Sequence, residues 1–344
     1  MLWIAIRRLV LSLVAFLISA YQVYAIPSPQ ETSSRLTAPD DPPHVQINRT
    51  FPTPQPALSP VADWDRFRSS RQPDQILSST IDNDHEDAGV KTPGGGGSYV
   101  GVYAVHTVYE TGKFKLELPQ NATRSQTLFA ATTRPPNGAC LEVGTAYTTD
   151  ITKKETSVAV YVFDFCKPGK PNWGIPPFSV GGNPPLYAVD DTFMATYGRA
   201  SIQGTPAYKL MILTKDDKPS SNSVWLAQLF NYKTNQWETM YQSTGLYEAD
   251  IRGWSIFETW YQAGQCSENL PTLAADQLKF LNSATGAWEP ARAHMSGLDF
   301  FISHGGSQNN NCFTKDHTGP ASYSLGPDPP AYSQWRVASV QDPN

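Results

Sequence analysis

The sequence predicts an all-β protein: an antiparallel β-sandwich or jelly roll over about 98–301, preceded by a disordered N-terminal segment. Three observations lead to this fold class. Apolar and polar residues alternate in many short segments, turn-forming clusters separate these segments, and helical periodicity is almost absent. Successive side chains of a strand point to opposite faces, so this pattern is typical of sandwiches and barrels.

The composition limits the classes of function. Of 344 residues only 17 % are charged, and the net charge is −5; the usual charged share is about 25 %. A polar surface with few charges is common in secreted proteins. Because the sequence has no basic face, it argues against nucleic acid as a partner.

The N-terminal region has two parts. Residues 1–25 resemble a signal peptide, with Arg7 and Arg8 before an apolar run that is too short to span a bilayer. We therefore expect a secreted, extracellular protein with no membrane association after cleavage. Residues 26–97 are rich in Pro, Ser and Gly, which predicts a disordered segment that is either a pro-segment or a linker.

The predicted strands follow one another with turns between them. Residues 224–261 form the clearest group, with strands at 224–232, 237–242 and 254–261. The other predicted strands are 99–110, 113–118, 127–132, 141–147, 157–166, 191–197 and 208–214. Residues 273–281 fit a helix or a strand, and 302–344 form an irregular C-terminal tail.

One short pattern occurs twice. NYKTNQWE begins at Asn231 and NSATGAWE begins at Asn282. Thr followed by Asn or Gly is typical of tight turns, because these residues tolerate left-handed backbone angles. The pattern predicts the same hairpin used twice and not a repeat protein.

Four cysteines allow three disulfide pairings. We favour sequential neighbours, which pairs Cys140 with Cys166 and Cys266 with Cys312. Their spacings do not fit zinc, and an oxidising compartment favours disulfides, so no metal site is predicted. Asn48 and Asn121 lie in glycosylation sequons.

Carboxylates are the remaining candidates for chemistry, because the sequence has no nucleophile elbow, metal-binding or cofactor-binding motif. Glu258 stands out: it lies between Ile256 and Trp260 on one face of a predicted strand. A carboxylate in an apolar cleft has a raised pKa. The other carboxylates within the predicted sandwich are Glu110, Glu142, Asp164 and Glu238.

The segment GWSIFE, which ends at Glu258, resembles the strand that carries the catalytic Glu of the fungal glutamic peptidases, the eqolisins. Those are secreted, acid-active β-sandwiches, and the resemblance implies that Glu258 is a general base. Eqolisins pair this Glu with a Gln from an earlier strand, and that motif is absent here. The chain as a whole resembles secreted fungal β-sandwich proteins of the concanavalin-like kind.

Three functions stay open. The first is a secreted module that binds a glycan or protein through an aromatic sheet face containing Trp225, Trp237, Trp254 and Trp260. The second is an acid hydrolase in which Glu258 acts with Gln228 or Glu238. The third is an enzyme of the secretory pathway that acts on a small molecule. The sequence predicts no cofactor and leaves the oligomeric state open.

Overall fold

Two β-sheets and one short helix make up the described part of the chain. The computed structural model describes residues 83–91, 99–116, 126–149, 155–166, 186–247, 252–262, 270–291, 299–305, 313–314, 321–325 and 334–339. All of them belong to one unit, Pro42–Asn344. The predicted all-β sandwich is confirmed.

The strands are numbered along the chain. They are β1 Asn83–Lys91, β2 Tyr99–Thr107, β3 Gln126–Arg134, β4 Leu141–Thr149, β5 Thr156–Asp164, β6 Leu186–Ala188, β7 Ala200–Ile202, β8 Thr205–Thr214, β9 Val224–Asn231, β10 Gln236–Thr244, β11 Trp254–Gln262, β12 Leu273–Asn282, β13 Trp288–Pro290, β14 Asp299–Gly305, β15 Phe313–Thr314, β16 Ala321–Leu325 and β17 Trp335–Ser339. The helix α1 is Asp191–Thr196.

The strands form two sheets. The front sheet has seven strands in the order β14-β1-β11-β3-β4-β5-β6, and the back sheet has the order β10-β9-β8-β2-β12-β17-β16-β15, with β7 beside β8 and β13 beside β12. The described strands pair antiparallel except β15 with β16. Alternate side chains from both sheets fill the space between them, including Val143 and Tyr147 from the front and Leu210 and Trp225 from the back.

The sheets extend beyond the predicted limits of 98 and 301. Strand β1 lies inside the front sheet between β11 and β14, although its sequence is acidic. Among its described side chains, Ala88 and Val90 are buried. The strands on both sides of β1 supply partners for its backbone hydrogen bonds. Beyond 301, β16 and β17 pair at the far side of the back sheet.

Three local predictions meet different outcomes. Residues 191–197, predicted as a strand, form α1 instead, because the Asp190 side chain accepts a hydrogen bond from Phe193 N at 2.9 Å and caps the helix. Of the predicted strand at 113–118, residues 113–116 are described, and they contain only the isolated bridge between Phe114 and Thr111. Residues 273–281, which fitted either a helix or a strand, lie in β12.

The two copies of the hairpin pattern have the same hydrogen bonds. In the first, Asn231 Oδ1 accepts from the backbone of Lys233, and its amide donates to Glu238 at 2.7 Å. In the second, Asn282 Oδ1 accepts from the backbone of Ala284. Its amide donates to Glu289 at 2.8 Å. The predicted reuse of one hairpin is therefore confirmed.

The Cys140–Cys166 disulfide is confirmed, with a Cα separation of 5.1 Å. It joins the start of β4 to the end of β5. The second predicted pair, Cys266 with Cys312, lies outside the described residues, as do both sequons and the predicted signal peptide. Within the described ranges, no helix has the length and apolar character needed to cross a membrane.

A buried polar network joins the two sheets. His106 of β2 lies 2.8 Å from Thr133 Oγ1 of β3 through Nε2, and 3.2 Å from the Tyr208 hydroxyl through Nδ1. Thr133 donates to Ser255 of β11. The Tyr208 hydroxyl also lies 2.9 Å from Thr145 Oγ1 of β4. The network thus holds three adjacent strands of the front sheet from their inner side.

Candidate active site

The outer face of the front sheet carries the candidate site. In β4, Leu141 and Val143 belong to the core between the sheets, so Glu142 and Gly144 point to the outer face. In β11, Phe257 belongs to that core, and Trp254 packs instead with the aromatic residues of the outer face. Alternation therefore places Glu258 on the same face as Glu142.

A β-bulge in β3 shapes the surface between these two strands. Ile256 pairs with Thr132 and Phe257 with Ala130, so β3 contains one extra residue. Both Ala130 and Ala131 turn inward to the core. Thr132 therefore comes to the outer face three positions after Phe129, and bulges often re-aim a side chain in this way beside functional sites.

Glu142 is buried and hydrogen-bonded at both oxygens. Only 6 % of the residue is exposed. The Tyr161 hydroxyl donates to Oε1 at 2.8 Å, and the Trp254 indole N–H donates to Oε2 at 2.8 Å. The buried Thr132 hydroxyl is close enough to lower the pKa of Glu142, yet it lies outside normal hydrogen-bond geometry.

Gly144 makes room for Tyr161. A Cβ atom at this position would lie 2.5 Å from the Tyr161 hydroxyl oxygen and 2.6 Å from Cζ. Real Cβ atoms do not approach backbone or ring atoms this closely, so only glycine lets the phenol lie across β4 and reach Glu142. The same ring packs edge-on against Phe129, at 5.7 Å between centroids.

Burial and a neighbouring charge raise the pKa of the Glu142 carboxyl. Burial is the larger cause and the charge of Glu258 the second, and together they raise the pKa of Glu142 to about 7. Tyr161 and Trp254, which donate to the carboxylate, and the nearby Thr132 hydroxyl oppose this rise because they stabilise the charged form. Burial and the charges of Glu142 and Glu258 also raise the pKa of Tyr161.

Glu258 and Glu142 lie on the same outer face, in the two strands that flank β3. They are not level with each other: Glu258 pairs with Phe129, and Phe129 pairs with Ala146, four residues along β4 from Glu142. The charge of Glu258 nevertheless contributes to the raised pKa of Glu142. Glu258 is half-buried, and Phe129 is its Cα partner on β3. A buried carboxyl with a raised pKa and a more exposed carboxyl on the same face are a combination suited to general acid–base chemistry.

The structure separates the other predicted catalytic residues from this pair. Gln228 and Glu238 both lie on the back sheet, in β9 and β10. Gln228 is buried and donates to Thr239 Oγ1 at 3.0 Å. Glu238 accepts hydrogen bonds from Tyr197 and Asn231, each at 2.7 Å, which gives it a structural role in its hairpin.

The four predicted ligand-binding tryptophans do not share a surface. Trp225 is fully buried in the core and donates to Gly245 O. Trp237 lies on the outer face of the back sheet, packed against Tyr103. Trp254 lies on the outer face of the front sheet, and the side chain of Trp260 is outside the described part of the chain.

One cluster brings together atom types that bind metals, namely Cys140, Asp164 and Cys166. Both sulfur atoms belong to the disulfide, so they are not available as thiolate ligands. Asp164 accepts hydrogen bonds from Cys166 N and from the Tyr241 hydroxyl. This cluster closes the end of β5 and does not form a metal site.

Sequence reasoning considered Glu142 among several carboxylates but did not connect it with Glu258, and it missed Tyr161 and Thr132. One signal was present in the sequence. In β4 the outward positions read Glu142, Gly144 and Ala146, which leaves a carboxylate beside a glycine and an alanine. A strand with such small outward residues next to one acid leaves space for a side chain from a neighbouring strand.

Comparison with known proteins identified no matching family model. No curated protein matches the sequence either. Among solved structures, the chain is similar to scytalido-glutamic peptidase in complex with a transition state analog inhibitor, with 9 % identity over 76 % of this chain and all of that chain, and a TM-score of 0.37.

Proposed function

We propose that this protein is an acid-active hydrolase that uses Glu142 and Glu258 as a carboxyl pair. The observation that carries the proposal is the position of Glu142: buried, held by two donors and raised in pKa to about 7 by burial and by Glu258. Perturbed carboxyls with a specific charged neighbour are concentrated at functional sites.

An amide bond is the substrate that fits this pair best. Hydrolysis of an amide develops negative charge on the carbonyl oxygen, which hydrogen-bond donors stabilise. The protonated Glu142 is such a donor, and Tyr161 holds its carboxyl by donating to Oε1. Cleavage of a glycosidic bond instead develops positive charge on the sugar, which a hydrogen-bond donor does not stabilise.

The proposed reaction uses the two carboxyls in different protonation states. Glu258 takes a proton from water while the water oxygen bonds to the carbonyl carbon, and Glu142 donates its proton to the carbonyl oxygen. In the second step the C–N bond breaks. Glu258 then passes its proton to the leaving nitrogen, and Glu142 recovers a proton from the intermediate.

The compartment predicted from the sequence suits this chemistry. The Cys140–Cys166 disulfide fits an oxidising environment. With the predicted signal peptide, it supports secretion, and an extracellular acid hydrolase acting on proteins or peptides is the resulting proposal.

The proposal is tested by the pH dependence of peptide cleavage. An unfolded protein substrate is incubated with the purified chain from acid to neutral pH, and new amino termini are counted. We expect kcat/KM to fall as the pH rises through about 7, because Glu142 then loses the proton it must donate. Release of new reducing sugar ends without new amino termini would overturn the choice of an amide, and no hydrolysis of either kind at any pH would overturn the proposal.

Glycan binding on the back sheet is a second proposal, favoured by a different observation. Trp237 and Trp288, which come from the two copies of the hairpin, pack edge-on to Tyr103 at 6.0 and 6.3 Å between centroids. Both are half-buried, so part of each ring remains exposed on this face. Exposed aromatic rings suit the apolar face of a sugar.

Retention on an insoluble polysaccharide tests this second proposal. We expect the protein to be retained, and Trp237→Ala or Trp288→Ala to reduce retention because each removes one stacking ring. Glu258→Gln, on the opposite sheet, is the control and should be retained like the unaltered protein. Equal retention of all variants, or of none, would contradict binding at this surface.

A further inference from the structure

Arg134 is a buried cation enclosed by aromatic rings. It is the last residue of β3 and is fully buried. Its guanidinium carbon lies 4.4 Å from the ring centre of Phe165, 4.8 Å from that of Trp254 and 5.0 Å from that of Tyr247. A buried charge is costly unless it is compensated, and aromatic faces supply part of that compensation.

Trp254 connects this cation to the candidate site. Its ring contacts the Arg134 guanidinium, and its indole N–H donates to Glu142 Oε2 at 2.8 Å. A cation at the face of an indole draws electron density from the ring, so the N–H becomes a stronger donor. Linked interactions in a low-dielectric interior polarise one another in this way.

The turn at 138–140 accepts hydrogen bonds from Arg134 and from two of the aromatic residues that surround it. Arg134 Nε donates to Ala139 O at 2.9 Å. Phe165 N donates to Cys140 O at 2.7 Å, and Tyr247 N donates to Gly138 O at 2.9 Å. The Cys140–Cys166 disulfide also ties this turn to the end of β5.

We propose that Arg134 is a positioning residue: through the indole of Trp254 it fixes the Glu142 carboxyl in its orientation on the outer face of the front sheet. The catalytic meaning of this role rests on the proposed function, but the physical effect on Glu142 does not. The groups that act on Glu142 are the charge of Glu258 on β11, the hydroxyl groups of Tyr161 on β5 and Thr132 on β3, and the indole of Trp254, which is also in contact with Arg134.

The test measures the titration of Glu142 directly. Protein labelled with ¹³C at the glutamate carboxyl carbons is titrated by NMR, and Glu142→Gln identifies the Glu142 signal. Arg134→Lys keeps the charge but loses the planar group that stacks on the rings. Trp254→Phe removes the donor itself. In both variants we expect the Glu142 midpoint to move up by about half to one pH unit, because a donor to the carboxylate is weakened or lost.

Arg199→Lys is the matched control, since Arg199 is exposed and lies beside the back sheet. Its Glu142 midpoint should match the unaltered protein. A midpoint that moves in Trp254→Phe but not in Arg134→Lys would overturn the proposal. If Arg134→Lys does not fold, Phe165→Leu replaces it, because the Phe165 ring contacts both the Arg134 guanidinium and the Trp254 ring. We again expect the Glu142 midpoint to rise, and an unchanged midpoint would overturn the proposal.

The readout separates this proposal from the proposed function. A role limited to stability would lower the melting temperature of Arg134→Lys and leave the Glu142 midpoint in place. If the enzyme proposal failed, the NMR titration would still report whether Arg134 acts on Glu142. If both hold, the fall of kcat/KM at neutral pH should move upward together with the NMR midpoint.

Discussion

Glu258→Gln should reduce kcat/KM for peptide cleavage by about 10²-fold to 10⁴-fold, the usual contribution of a general acid or base. An amide cannot take a proton from the attacking water. Glu142→Gln should cause a loss of the same order, because an amide has no acidic proton to give to the carbonyl oxygen. The measurement is initial rates on one peptide, from acid to neutral pH.

The two variants differ in their effect on the remaining carboxyl. Glu258→Gln removes the charge that helps to raise the pKa of Glu142. Its residual activity should therefore be lost at a lower pH than that of the unaltered protein. Glu142→Gln removes the buried titrating group, so any residual activity should lack the fall around pH 7 altogether.

Glu238→Gln is the matched control for both variants. Glu238 is also a buried carboxylate in a strand, but Tyr197 and Asn231 hold it on the back sheet, away from the pair. Its replacement should leave the rate unchanged. A loss in Glu238→Gln as large as that in Glu258→Gln would contradict the assignment, and so would full activity in Glu142→Gln.

Much of the architecture could be predicted because period-two patterning is a local property. The predicted segments around β4, β9 and β11 match the observed strands to within a few residues. The outward direction of Glu258 also follows from alternation, since Phe257 packs inward. The helix α1 carried a readable signal as well: Asp190, directly before Asp191, is a typical N-cap.

The candidate pair could not be predicted because strand order brings its two members to the same face of one sheet. β3 lies between β4 and β11 in the sheet, although β11 follows β4 by more than one hundred residues. The bulge at Ala130 and Ala131 also breaks the alternation that would have placed Thr132 inward. Residues 83–91 resembled a disordered acidic segment, and only their place between two strands explains the buried Ala88 and Val90.

His106→Gln should change how stability depends on pH. His106 is fully buried between the sheets, and burial lowers its pKa to about 3. In the unfolded chain its pKa is 6.5. Between these values the unfolded state binds a proton that the folded state does not, so stability falls as the pH falls. Each pH unit below 6.5 lowers the free energy of unfolding by about 1.4 kcal/mol, and the full range between the two pKa values lowers it by about 5 kcal/mol.

Glu142 acts in the opposite direction. Its folded pKa of about 7 lies above the unfolded value of 4.5, so its contribution is complete below pH 4.5 and is lost as the pH rises to about 7. This change lowers the free energy of unfolding by about 3 kcal/mol. Between pH 4.5 and 6.5 the two slopes offset each other, and these groups together leave a plateau of stability in the range where the proposed hydrolase would work.

Urea unfolding at several pH values between 3.5 and 7.5 tests this balance. The unaltered protein should show the plateau and then lose stability below pH 4.5, where, of these two groups, only His106 still titrates. Glutamine at position 106 keeps a donor and an acceptor toward Thr133 and Tyr208 but does not titrate, so His106→Gln should gain stability as the pH falls from 7 to 4.5 and not decline below it. Glu142→Gln should instead lose stability steadily below pH 6.5. If the curves of His106→Gln and the unaltered protein run parallel through this range, the buried imidazole does not set the acid limit of the fold.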